Sequence, residues 1–483
     1  MLILIKNGWV IVGDIHQTEL KRGQIVVKNG LIEEVSTRDF GDAEGFDRVL
    51  DASGKIVIPG LINGHIHSYA NLVKATIENL PLEPWMLYIT AEGRCMDVED
   101  IYYNTLLGCI EMIKNGTTSC VDHLAQGFSG LDAAMRAYRD AGFRAAVAPM
   151  ISDKPYYQSL PVDDESVPEE MKRGPFSLRQ DLLDTTIELY KKWHGKDNRL
   201  KVMFGPSGPQ RCTDELLTAC ARLAQEYDTG FHSHVLETKY QAQAAEHLYH
   251  KPMIMHLDEL GCLNERISLV HGVWLTKEEA QLAAERGAVV VHNPASNLTL
   301  GSGIAPINTY RELKLTVALG TDGANCGGNL NMLESMKLAA MLHKSQAPHF
   351  GKWVTAGEVF QMATLNSACI SLQNREIGSL EAGKRADVVI LNPAKSPCLV
   401  PLQSPVRQLV YSETGTAVET VMIEGKIVLD DGAITIFDEK KVYTEAERRA
   451  AAIVEKSLKM RAGIDREADF IKRMLFPVHQ DSR

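Results

Sequence analysis

Between Pro59 and Asp322 short apolar runs alternate with stretches of helical spacing, and this alternation restricts the fold more than any other feature of the chain. Eight runs are strand candidates. They end near His67, Asp122, Pro149, Gly205, His234, His271, Asn293 and Asp322. Eight β-α units are the number that closes a parallel barrel, so the expected fold class is α/β, a (β/α)8 TIM-like barrel. In such barrels chemistry sits at the C-terminal ends of the strands. His65, His67, His234, His271 and Asp322 all fall there.

The flanks have another texture. From Met1 to Ile58 the chain shows short β-rich runs split by tight turns, with Asn29-Gly30 as a hairpin signal, and Met1 to Val12 reads as a hairpin interrupted at Lys6-Asn7-Gly8. Val388-Val389-Ile390-Leu391 and Val421 to Leu429 repeat that texture near the other end. Each flank alone would bury too little apolar surface, so the two ends are expected to pair into one small β-sandwich. The resulting division is 1–58 and 371–437 for the two halves of the sandwich, 59–370 for the barrel and 438–483 for a helical tail. In the tail Thr444-Glu445-Ala446-Glu447 has the pattern of a capping box, and both a domain clamp and a subunit contact are open to it.

Composition narrows the partners. The 483 residues carry a formal net charge of -11 and no basic patch, which excludes phosphate backbones and acidic lipids as natural partners. No apolar run approaches the ~20 residues of a membrane span, and Lys6-Asn7-Gly8 breaks the first apolar run before a signal-peptide core forms. The nine cysteines are scattered and never spaced Cys-x-x-Cys, so reduced thiols in the cytoplasm are expected. A small-molecule substrate and a homo-oligomeric barrel follow as expectations.

Gly64-His65-Ile66-His67 puts two imidazoles on one face of a strand, where both can grip one ion. Histidine nitrogen and aspartate oxygen suit Zn²⁺, which brings the pKa of water near 7. In Phe231-His232-Ser233-His234-Val235-Leu236-Glu237 both histidines share a strand face, so spacing leaves open which one is the ligand. Two connections are long: one follows His67 and carries Trp85, Glu92 and Arg94, and the other runs from Ser152 to Pro175 as a lid or a solvated excursion.

These residues carry a resemblance. Pro59 to His67, His234-Val235-Leu236-Glu237-Thr238, Leu269-Val270-His271-Gly272, the run from His292 to Pro306, and Gly320-Thr321-Asp322-Gly323 are similar in kind and order to the amidohydrolase superfamily. Within it they resemble the methylthioadenosine/S-adenosylhomocysteine deaminases and the s-triazine hydrolases. The resemblance implies that His65, His67, His234 and Asp322 hold one divalent ion per chain, Zn²⁺ first and Fe²⁺ second. It implies that Glu237 shuttles protons, that His271 orients the attacking water, that Asp322 accepts its proton, and that His232 and Asn297 stand behind the ligands. Relatives with two metals use a lysine at the end of the fourth strand, and Lys201 comes too early for that. Trp85 and Glu92 are implied as substrate contacts. Ser207 stands where nucleoside deaminases usually carry a histidine, which widens the expected substrate from adenosine-type nucleosides to purine, pyrimidine, pterin or triazine rings. The implied reaction is hydrolytic deamination, with displacement of chloride, thioalkyl or alkylamine from a heteroaromatic ring as the alternative. A barrel that has lost catalysis and serves as a scaffold would lack ligands, and here each position is filled.

Overall fold

The computed structural model describes residues 1–477 except 42, 170, 173–178 and 348. The strands in chain order are β1 Leu2–Ile11, β2 Glu19–Lys28, β3 Leu31–Ser36, β4 Arg48–Asp51, β5 Ile56–Pro59, β6 Leu61–Ile66, β7 Thr117–Leu124, β8 Arg144–Ile151, β9 Leu200–Val202 and β10 Gly205–Pro206. They continue with β11 Phe231–Val235, β12 Ile267–His271, β13 Val289–His292, β14 Thr316–Leu319, β15 Val388–Leu391, β16 Val418–Ile423, β17 Lys426–Asp430 and β18 Ala433–Ile434.

The barrel is built from β6 to β14. β6, β7 and β8 pair in parallel, β8 continues onto β9 and β10, and β11 to β14 pair in parallel in sequence order. β9 and β10 are one stave interrupted at Met203-Phe204, and the Phe204↔Phe231 bridge joins it to β11, so the staves number eight. Closure comes where the Asp322 amide donates to the His65 carbonyl at 2.9 Å. Gly64 permits that approach. A Cβ there would lie 2.8 Å from the Leu319 carbonyl and 2.7 Å from Ile370 Cδ1, so no larger residue lets β6 meet β14. The interior is filled by small and β-branched side chains, among them Val121, Ala146, Ala148, Val270, Val291 and Ala318.

Both chain ends meet in one module, which takes the form of a continuous nine-stranded sheet. Its junction is the antiparallel β5–β15 pair, Pro59↔Val388 through Ile56↔Leu391. Ile3, Ile5, Ile25, Val57, Val388 and Ile390 form its core. The Asn29-Gly30 turn lies between β2 and β3, with φ of 52° and 86°. The hairpin expected at Lys6-Asn7-Gly8 does not form. β1 runs through as one strand with a register shift between Ile5 and Gly8, because Asn7 takes the left-handed region at φ 63° and Gly8 faces Gly23 across the pair.

After His67 the first long connection turns through Ser68–Leu72 and enters a helix at Leu82–Arg94. In the second, the described part buries Tyr157, Leu160, Val162 and Val167 against Tyr240, Ile471 and Leu475, while Pro175 lies outside the described residues. The tail forms two helices, Glu439–Leu458 and Arg461–Leu475. The first is capped by Asp438, whose side chain accepts from the Lys441 amide at 3.1 Å. Thr444 is therefore inside the helix, bonding the Lys440 carbonyl, and the capping box expected at Thr444–Glu447 is not a helix start. The tail clamps its own chain. Ala446 and Ile453 pack on Leu72 and Val73, Arg449 pairs with Asp100 at 2.9 Å, and Tyr88 donates to Asp465 at 2.8 Å.

Candidate metal centre and active cavity

Three imidazoles and one carboxylate converge at the mouth of the barrel. Asp322 Oδ1 lies 3.5 Å from His65 Nε2 and 3.3 Å from His67 Nε2, and the Nε2 atoms of His67 and His234 are 3.4 Å apart. Around a tetrahedral ion with bonds of ~2.0–2.1 Å the ligand-to-ligand edge is about 3.3–3.4 Å, so these spacings fit one such ion. The donor set fits as well. Each histidine has its Nδ1 engaged, which leaves Nε2 for the centre: His67 donates to the His123 carbonyl at 2.5 Å, and His234 to the Ser207 carbonyl at 2.6 Å. His65 Nδ1 donates to His232 Nε2 at 2.8 Å, His232 Nδ1 to Ser268 Oγ at 2.6 Å, and Ser268 to the Phe231 carbonyl at 3.4 Å. His65 Nε2 is buried with no hydrogen-bond partner, the state of a nitrogen kept for an ion.

This chain resolves the choice left by spacing on β11. His232 spends Nε2 on His65 and stands behind the centre, whereas His234 points Nε2 into it. Burial pushes His234 down to about 3 and His65 and His271 below the usual imidazole range, which keeps them neutral and able to ligate. Burial alone would raise Asp322, yet the neighbouring imidazoles of His65, His67 and His271 hold it well below the usual carboxylate range. Asp322 and His271 both occupy the left-handed region, at φ 65° and 74°, a strain that accompanies functional positions.

Two more groups face the same point. His271 Nε2 is 3.7 Å from Asp322 Oδ2 and 3.4 Å from Glu237 Oε2, and its Nδ1 donates to Asn297 Oδ1 at 2.8 Å. Asn297 thus sets the tautomer of His271 rather than touching the centre. Glu237 sits just after Leu236, at φ 52°, and Ser302 donates to its Oε1 at 3.3 Å. Burial, reinforced by the nearby Asp322 and Glu83 carboxylates, raises its carboxyl well above the usual range.

His123 was not anticipated. Its ring stacks on His234 with centroids 4.8 Å apart, and its Nε2 meets the Gly205 carbonyl at 3.1 Å. The available signal was Asp122-His123 at the end of β7, where period-2 alternation turns His123 inward. Asp122 instead anchors the turn after His67, accepting from the Ser68 amide at 3.0 Å. His65, His123 and His232 form another close triple, but the His65–His232 hydrogen bond consumes the nitrogens that it would need. Lys201 lies away from the centre, bonding the Ser371 carbonyl at 3.4 Å.

The cavity facing the centre is lined by Trp85 and Ser207 among the residues implied as substrate contacts, and Glu92 is not part of its lining. Glu92 is buried in the helix Leu82–Arg94 and accepts from Thr76 at 3.1 Å. The carboxylate of that helix that does line the cavity is Glu83, in its first turn, beside Glu237 and Asp322.

With this geometry in view, comparison with known proteins is decisive for ancestry. The model of the amidohydrolase family matches residues 56–428. The chain belongs to the amidohydrolase family. It is similar to the 5'-deoxyadenosine deaminase of Methanosarcina mazei, 33% identical over 454 residues that cover 94% of this chain and 98% of that protein. A 5-methylthioadenosine/S-adenosylhomocysteine deaminase of Thermoanaerobacter pseudethanolicus is 32% identical over 458 residues, 94% of this chain and 100% of that one. Among solved structures, an adenosine deaminase of Xanthomonas campestris with bound zinc superposes with a TM-score of 0.84 at 28% identity, covering 94% of this chain and 98% of that one. Like these amidohydrolases, the chain is a hydrolase for carbon–nitrogen bonds outside peptides. Among the described residues no helix is long and apolar enough to cross a membrane.

Proposed function

We propose that this amidohydrolase removes ammonia hydrolytically from an amino-substituted nitrogen heterocycle of the nucleoside-base type, using one divalent ion, zinc first, held by His65, His67, His234 and Asp322. The observation that carries the reading is the convergence of the four ligand atoms with Glu237 and His271 on one point of a substrate-sized cavity. The ion would supply a water that is nucleophilic near neutral pH.

Asp322 Oδ2, turned toward His271, accepts the proton of the attacking water. It is kept ionised by the imidazoles around it and aligned by Ser296 Oγ, which donates to it at 2.7 Å. His271 donates from one nitrogen to Asn297 and presents the other between Asp322 and Glu237, where it orients the water. Glu237, protonated through its burial, gives a proton to the ring nitrogen, is recharged with the proton that Asp322 took from the water and passes it to the departing amine, and regains a proton from the added hydroxyl as the carbonyl forms. Each proton transfer contributes roughly 10²- to 10⁴-fold in rate. Trp85 supplies a flat apolar wall for the ring. Nine unpaired cysteines support a cytoplasmic setting, and the proposal includes a homo-oligomer.

Ammonia release from a panel of aminated purines, pyrimidines, pterins and triazines, with chloride release read in parallel, tests the reaction class. Glu237→Gln is expected to keep one ion per chain and lose at least about 10²-fold in kcat. Chloride without ammonia, or unchanged turnover in Glu237→Gln, would overturn the proposal, and two ions per chain by elemental analysis would overturn the single site.

A further inference from the structure

The cavity holds more polar atoms than the reaction uses. Glu83 and Gln210 are 4% and 5% exposed, and among the described residues Glu83 Oε2, Gln210 Oε1 and Arg211 Nε have no hydrogen-bond partner. All three side chains line the cavity that faces the metal point. Buried polar atoms are nearly always paired, so three on one cavity mark a place where the partner arrives with the substrate.

Their surroundings are built. Thr238, next to Glu237 in sequence, donates to Glu83 Oε1 at 2.5 Å, and Tyr156 donates to the Glu83 carbonyl at 2.7 Å. The Arg211 guanidinium lies over the Tyr156 ring, 5.0 Å from its centroid, so Tyr156 connects Glu83 to Arg211. Among the described residues Arg211 meets no carboxylate within ion-pair distance. Gln210 and Arg211 follow Ser207 in one short turn, Pro209–Arg211.

Resting on the deaminase reading, we propose that Glu83, Gln210 and Arg211 form a recognition wall for the N–H/C=O edge of an aminated ring that also carries an oxo group. The chemistry of the three atoms is complementary to that edge. Arg211 only donates, which requires an acceptor, while Gln210 Oε1 and the carboxylate form of Glu83, which burial works against and a bound N–H would favour, accept, which requires a ring N–H. An adenine-type ring offers Arg211 only a ring nitrogen and, on the pyrimidine edge beside its amino group, has no N–H for Gln210 and Glu83. The wall therefore selects against it by the penalty that an unpaired buried group imposes on the wrong substrate.

The test uses metal-loaded protein and two matched pairs that differ by one ring oxygen, cytosine against 4-aminopyrimidine and 2-hydroxyadenine against adenine. Wild type is expected to favour the oxo member of each pair by tenfold or more in kcat/KM, roughly the effect of one satisfied polar contact. Arg211→Met is expected to lower the oxo member by roughly tenfold to a hundredfold and the oxygen-free member by less than about threefold. Gln210→Met carries the same expectation and serves if Arg211→Met does not fold. Calorimetric binding of uracil, which needs no turnover, separates the two proposals: silence of all four amines with uracil binding lost in Arg211→Met fails the deaminase reading and keeps the wall. Equal treatment of the paired rings by wild type, an equal fall of both members in the variants, or failure of uracil to bind wild type in the absence of turnover overturns the wall.

Discussion

Glu83 and Glu92 stand on one helix and have opposite fates. Glu83 turns into the cavity, whereas Glu92 is enclosed by protein and pushed up to about 7 by burial, with the Thr76 hydroxyl pulling the other way. For Glu92 the folded value exceeds the unfolded one of about 4.5, so over that window the folded state holds a proton that the unfolded chain has released. Stability therefore falls as pH rises from about 4.5 to about 7. Glu92→Gln is expected to match wild type in unfolding free energy from urea melts near pH 4.5 and to exceed it near pH 8 by about 1 to 3 kcal/mol, with kcat/KM little changed. A large loss of kcat/KM without that gain would make Glu92 a substrate contact after all. The His65–His67 pair was legible in the sequence because strand alternation puts both on one face, whereas spacing left His232 and His234 equivalent, since both lie on the same face of one strand. Which glutamate faces the cavity was not legible, since the rotation of the helix Leu82–Arg94 is set by what packs on its far side.

At the scale of elements, β8 is tied to the two-ended sheet by a buried guanidinium. Arg144 donates from Nε and Nη2 to both oxygens of Asp387 at 2.7 and 3.0 Å, and from Nη2 to Glu424 at 2.8 Å, with its side chain fully buried. Asp387 immediately precedes β15 and Glu424 lies in the turn between β16 and β17, so this group couples barrel to sheet. Arg144→Met leaves Asp387 with no counter-charge and Glu424 with Arg385 alone, 2.7 Å away, and is expected to cost about 3–5 kcal/mol in thermal or urea unfolding, while Arg144→Met with Asp387→Leu and Glu424→Gln recovers much of it. A single variant as stable as wild type would mean that sheet and barrel are coupled by apolar contact alone. The eight strands were legible because β-branched runs end at polar residues. The register of β1 was not, because the conformation at Asn7 depends on Gly23 in another strand. Nor was the tail's first cap, because Asp438 starts the helix nearly two turns before Thr444 can.

Across the whole molecule the candidate ion site and the cavity wall are built by different parts of the chain. The proposed ligands stand in or just past barrel strands, and the barrel closes on itself through Asp322 and His65. The helix carrying Glu83 and Trp85 is held from outside, by the tail beyond residue 428, where the family match ends. Tyr88 on that helix meets Asp465, while Ile471, fully buried, packs with Leu160 and Tyr240 beside the cavity. Removal of residues 438–483 should therefore separate two properties that rise and fall together in most metalloenzymes. The shortened chain is expected to retain one ion, because among the described residues the side chains of His65, His67, His234 and Asp322 bond to His232, His123, Ser207 and Ser296 of the barrel, and to lose tenfold or more in kcat/KM, chiefly through KM, as the cavity wall loosens. Since truncation exposes apolar surface on Leu72 and Val73, Ile471→Ala provides the milder form of the same test. It costs about 2–5 kcal/mol of local packing with both tail helices still present. If ion content falls in step with activity in both variants, the tail supports the barrel itself and the division between ion site and cavity wall is wrong.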